Sequence, residues 1–117
     1  MNLSNLDHLR ALKDGWLNGD GLAPTKEGLD WLETLLGHHA NMTPYIYLTY
    51  EGGVTLEWEK PFLFNNTIEI DLVNKSAYYH FLNKTTDEVY EKYVDLTSES
   101  GLKFFHITVG HQNWNYI

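Results

Sequence analysis

The chain has no cysteine, which excludes a disulfide framework, a thiolate nucleophile and any cysteine-based zinc site. Long hydrophobic runs are missing as well: no stretch approaches the ~18 consecutive apolar residues of a membrane span. Met1 to Leu12 holds neither the basic nor the apolar segment of a secretory signal. Neither membrane insertion nor classical export is expected, and the expected compartment is the cytoplasm. Asn-x-Ser/Thr tripeptides, among them those at Asn2, Asn41, Asn65 and Asn83, read as chance in an Asn-rich chain. Basic residues are scarce, with 8 Lys and Arg against 16 Asp and Glu and a net charge of −8. They are scattered singly, whereas phosphate recognition needs them clustered, so direct binding of nucleic acid is not expected.

What is present points to one globular domain over residues 1–117. Hydrophobic residues make up 43% and aromatic residues 15% of the chain, well outside the regime of disorder. A chain of this length buries roughly 65% of its unfolded surface on folding. Leu3, Leu6, Leu9 and Leu12 recur at helical spacing, and with Ser4 as cap they predict a helix over Asn5 to Lys13. Thr25 caps a second helix in which Leu29, Trp31, Leu32, Leu35 and Leu36 form an apolar stripe, ended by Gly37 or by the residues before Pro44. From Tyr45 the period changes to two. Tyr45–Tyr50 and Val54–Glu59 flank a Glu51-Gly52-Gly53 turn as a hairpin, and strands follow at Thr67–Val73 and Ala77–Leu82. Val89–Leu96 and Leu102–Val109 also read as strands, although the first matches helical spacing and Ser98-Glu99 could cap a helix before the second. Helices placed ahead of all strands argue for an α+β fold: two N-terminal helices packed on one face of an antiparallel sheet of four to six strands.

Between the two helices lies Asp14-Gly15-Trp16-Leu17-Asn18-Gly19-Asp20-Gly21-Leu22-Ala23-Pro24. Gly15, Gly19, Gly21 and Pro24 crowd around Trp16, a composition that predicts an ordered, docked loop rather than a linker. The ring of Trp16 is expected between the helices and the sheet, with the glycines supplying close approach or positive φ.

Alternation places Val54, Leu56, Trp58, Ile68, Ile70 and Leu72 toward the core. Glu57, Glu59, Glu69 and Asp71 then share the outer face, where carboxylates on neighbouring strands are expected to oppose one another unfavourably. Residues 45–73 carry five acids against the single base Lys60. This face reads as solvated surface, as an acidic surface for a partner, or as a paired-carboxylate hydrolase site, which would need a pocket to raise one pKa. His8, His38, His39, His80, His106 and His111 show no metal-binding spacing, and no metal site is expected. There is no Gly-x-Ser-x-Gly elbow, and no glycine-rich phosphate loop follows a strand. No cofactor is expected. Tyr45, Tyr47, Tyr78 and Tyr79 read mainly as packing residues. Trp114 and Tyr116, in an Asn-rich terminal segment, either dock on the domain or engage a partner.

The loop Gly15-Trp16 to Pro24, together with Gly52-Gly53-Val54-Thr55-Leu56-Glu57-Trp58 and Ile68-Glu69-Ile70, resembles a group of small uncharacterised bacterial and phage proteins. These share a Gly-Trp-Asp-Gly-x-Gly-Ala-x-x-Pro loop and a Gly-Gly-Val-x-Leu-Glu-Trp strand. The resemblance covers residues 10–72. This chain departs from the pattern with Leu17-Asn18 where the group has Asp and with Leu22-Ala23 where it has Ala. The resemblance implies a prokaryotic or phage origin and assigns no catalytic residue. The expectation is a non-enzymatic interaction module (inhibitor, antitoxin-like or immunity-type) that binds the basic surface of another protein through Glu57, Glu59, Glu69 and Asp71 or through Trp114 and Tyr116. The alternative is a small hydrolase or metal-dependent enzyme using histidines and acids.

Overall fold

Alternation of apolar and polar residues from position 45 onward builds the centre of the molecule. A computed structural model describes residues 5–16, 19, 21–37 and 44–110. In it five strands form one antiparallel sheet in simple sequence order: β1 (Tyr45–Leu48), β2 (Val54–Lys60), β3 (Phe64–Asp71), β4 (Ser76–Asn83) and β5 (Glu88–Asp95). The register pairs Leu56 with Ile46 and Ile68, Ile68 with Tyr79, and Ala77 with Val94. Alternate residues of each strand therefore line up into a continuous inner face. Val54, Leu56, Ile68, Ile70 and Tyr79 on that face are all fully buried.

Helices α1 (Asn5–Arg10) and α2 (Lys26–Gly37) precede the sheet, and α3 (Glu99–Gly110) follows it. Leu6 and Leu9 of α1, Leu29, Leu32, Leu35 and Leu36 of α2, and Phe105 and Val109 of α3 join the inner-face side chains in one buried cluster. Such burial stabilises the fold by roughly 1.5–3 kcal/mol per large apolar side chain. The Thr25 hydroxyl caps α2 by accepting the Gly28 N–H at 2.9 Å. Arg10 ties α1 to α2 through Asp30 and Glu33, each at 2.7 Å. Gly28 lets α2 pack against Leu72 just past β3: a Cβ there would lie 2.8 Å from that of Leu72, so a side chain would push the helix away. Ser4, the expected cap of α1, lies outside the described residues.

Two expectations are corrected. Helices are not confined to the N-terminal part, because residues 102–109 form the body of α3 and not a sixth strand. The β-branched Ile107, Thr108 and Val109 favour a strand locally, but a cap and tertiary packing override them. The Ser98 hydroxyl accepts the Gly101 N–H at 3.0 Å, and Phe105 and Val109 fall one helical turn apart, both buried. Residues 88–95, by contrast, do form a strand.

The second correction concerns Trp16. Its ring is half-exposed and outside the core cluster. It lies instead on its own loop, where a Cβ at Gly21 would meet the indole at 2.9 Å and the indole N–H donates to the Leu22 carbonyl at 2.8 Å. Gly15, Gly19 and Gly21 take φ values of 86°, 95° and 89°, a region open to glycine at little cost. The Gly15 N–H donates to the Gly21 carbonyl at 2.8 Å, and the Leu22 N–H donates to Tyr50 O at 3.0 Å. The loop is thus docked, on the β1–β2 turn. Pro24, half-exposed, leads from it toward α2.

Candidate functional site: the outer face of the sheet

On the side opposite the core, the same register lays polar and aromatic side chains in lateral rows. One row runs Tyr45, Glu57, Thr67, His80, Glu91 across β1 to β5, and the next runs Tyr47, Thr55, Glu69, Tyr78, Tyr93. Tyr45 and Tyr93 are 71% and 78% exposed, so among the described residues nothing covers the two ends of this face. Carboxylates thus sit among tyrosine rings.

All four predicted acids point to this side, but they differ in what holds them. Asp71 is engaged by its own turn: its carboxylate accepts the backbone N–H groups of Val73 and Asn74 at 2.9 Å each, and the Asn74 amide at 2.8 Å. These bonds, the Asn74 N–H first, lower its pKa. Glu59 pairs with Lys84 at 2.9 Å and accepts from Asn65 at 3.3 Å, and these two contacts lower its pKa. Glu57 shares the same Asn65 amide at 3.0 Å. Neither Glu57 nor Glu69 is in an ion pair among the described residues. Direct opposition of like charges does not occur, which corrects the expected repulsion: Glu57 faces Thr67, Glu59 faces Asn65 and Glu69 faces Thr55.

The β4–β5 side adds further groups to this face. Tyr78 and Tyr93 pack ring to ring with centroids 4.6 Å apart. His80 Nε2 lies 3.7 Å from Glu91. Glu91 also accepts from the Tyr78 hydroxyl, and this bond is the main reason that the phenol titrates above its usual range. Partial burial, then the fields of Glu57 and Glu69, raise the Tyr47 pKa on the other side. Val89–Leu96 read as a strand in the sequence, but only its pairing with β4 sets Glu91 beside His80 and Tyr93 beside Tyr78. Tyr79, grouped with Tyr78 in the sequence, turns to the core instead, because neighbours in a strand face opposite ways. Trp114, Tyr116, His38, His39 and His111 lie outside the described residues.

No three histidine or acidic side chains among the described residues are grouped to hold a metal ion, and no described helix is long and apolar enough to cross a membrane. Comparisons of the chain with family models, curated proteins and solved structures find no match. The outer face offers carboxylates, which suit cations, and phenol rings, which suit planar or apolar contact.

Proposed function

We propose that this chain is a small acidic, non-enzymatic interaction module of the inhibitor, antitoxin or immunity kind, working in the cytoplasm. It binds the basic surface of another protein through the outer face of its sheet. The observation that carries this reading is the pair Glu57 and Glu69, which lack an ion-pair partner within the described residues and sit beside the exposed rings of Tyr45 and Tyr47. Carboxylates left without cations raise the on-rate toward a basic partner, and tyrosines supply contact area at low entropic cost. The net charge of −8 acts in the same direction. A Lys- or Arg-rich patch is the complement that both groups recognise, because a guanidinium can pair with a carboxylate and stack on a phenol.

The test compares wild type with E57K/E69K. Proteins captured from native lysate by each are purified, and their affinities are measured by calorimetry at low and high salt. The expected result is a partner whose affinity falls steeply as salt shortens the Debye length below about 10 Å, and which the reversed variant no longer holds. Salt-independent binding, or equal binding by E57K/E69K, would overturn the proposal.

A further inference from the structure

The sheet has two edges, and the one at β5 is unusual. Natural edge strands are kept short, bulged, charged, proline-bearing or covered, and β5 carries such charges at Glu88, Glu91 and Lys92. β5 is eight residues long with an unbroken register and no proline, and every residue from Glu88 to Tyr93 is exposed. Val89 and Tyr90 are 52% and 45% exposed. The phase of its free hydrogen bonds can be read from one contact: the Leu96 N–H donates to Lys75 O at 2.8 Å. Even-numbered residues therefore direct their backbone groups to β4, and Val89, Glu91 and Tyr93 leave theirs on the open edge.

We propose that this edge pairs with β5 of a second copy of the chain, antiparallel about a two-fold axis through Tyr90, making one ten-stranded sheet. Three registers around this position can be compared by charge. Centring on Glu91 sets two glutamates against each other, and centring on Lys92 does the same with two lysines. Centring on Tyr90 sets Glu88 opposite Lys92 of the partner copy, twice by symmetry, and brings the two Tyr90 rings together at a non-hydrogen-bonded position, where side chains approach most closely. The same register places Val89 opposite Glu91 of the other copy, and these are the residues whose N–H and C=O groups are free. Neither Glu88 nor Lys92 is in a salt bridge among the described residues. Lys92 Nζ instead rests 4.3 Å from the centre of the Phe104 ring, held on the inner side where Glu88 of the second copy arrives. The contact is isologous, so it closes at two copies and does not propagate.

Pairing by one edge buries less than a standard interface, so the dimer is of the transient class. Sedimentation velocity from about 10 µM to about 1 mM protein tests it. The mass is expected to rise toward two copies across this range. E88K and K92E are each expected to weaken association about tenfold, since each turns two attractive pairs into repulsive ones. The double swap E88K/K92E restores the pairs with reversed sign and is expected to recover it. All three positions of the argument are exposed, so the variants keep the wild-type circular dichroism. A single-copy mass throughout the range, or a dimer that the two single reversals leave unchanged, would overturn the proposal. So would a double swap no better than the single ones.

Discussion

Ile68 and Glu69 are neighbours in β3, yet one is fully buried and the other exposed. The same contrast runs through the central strands β2, β3 and β4 of the sheet. Its inner face carries Val54, Leu56, Ile70 and Tyr79, all within the common core with the helices. Its outer face carries Tyr45, Glu57, Glu69, Tyr78 and Tyr93 with no described element over its ends. The central strands thus serve two purposes through a period of two: one side stabilises, and the other displays. Because the stabilising contacts are segregated, the display side is free to vary in charge.

The comparison breaks most readily at Ile68. Ile68→Ala is expected to cost about 2–5 kcal/mol in urea unfolding, the range for a truncated core aliphatic, whereas Glu69→Ala is expected to stay within about 0.5 kcal/mol. A loss at Glu69 as large as that at Ile68 would make the outer face structural and end the distinction. Trp16→Ala sits between them. The ring is half-exposed and holds its loop through Gly21 and the Leu22 carbonyl, so about 1–2 kcal/mol is expected. A loss of about 4 kcal/mol would put the loop in the core after all.

The smallest effect is the dependence on acid. Asp71 has its folded pKa lowered, first by the Asn74 N–H, and Asp95 likewise, first by the Thr97 hydroxyl. A depressed folded pKa means that the unfolded chain binds the proton more tightly. The stabilisation is therefore complete above the ordinary aspartate range near ~4 and is lost as pH falls through the folded values. Melting temperatures followed downward from neutral pH should decline there, and D71N should show a shallower decline. Equal slopes for D71N and wild type would remove Asp71 from the account.

Much of this was legible in the residues. Alternation in Val54–Glu59 and Thr67–Val73 gave the correct inner and outer sets because side-chain direction in a strand is local geometry. Gly15, Gly19 and Gly21 announced a loop with positive φ for an equally local reason. Asp71 was counted as one more displayed acid, but its turn captures it, a role visible only when the backbone N–H groups of Val73 and Asn74 are placed. Residues 102–109 misled because β-branched content speaks for a strand. The winning terms were the Ser98 cap and the burial of Phe105 and Val109 against side chains distant in sequence.

What the chain determined by itself is which residues alternate, where it turns, and that acids outnumber bases two to one in a molecule without cysteine. Tertiary structure decided the register that sets Glu57 against Thr67 rather than another acid. It decided the pairing of 88–95 with β4 that brings Tyr93 beside Tyr78, and the helix that closes the core at Phe105. The division has a physical cause. Backbone sterics and side-chain direction act over one or two residues, while pairing and burial depend on contacts between segments far apart in the chain, whose free energies decide between local conformations of nearly equal propensity.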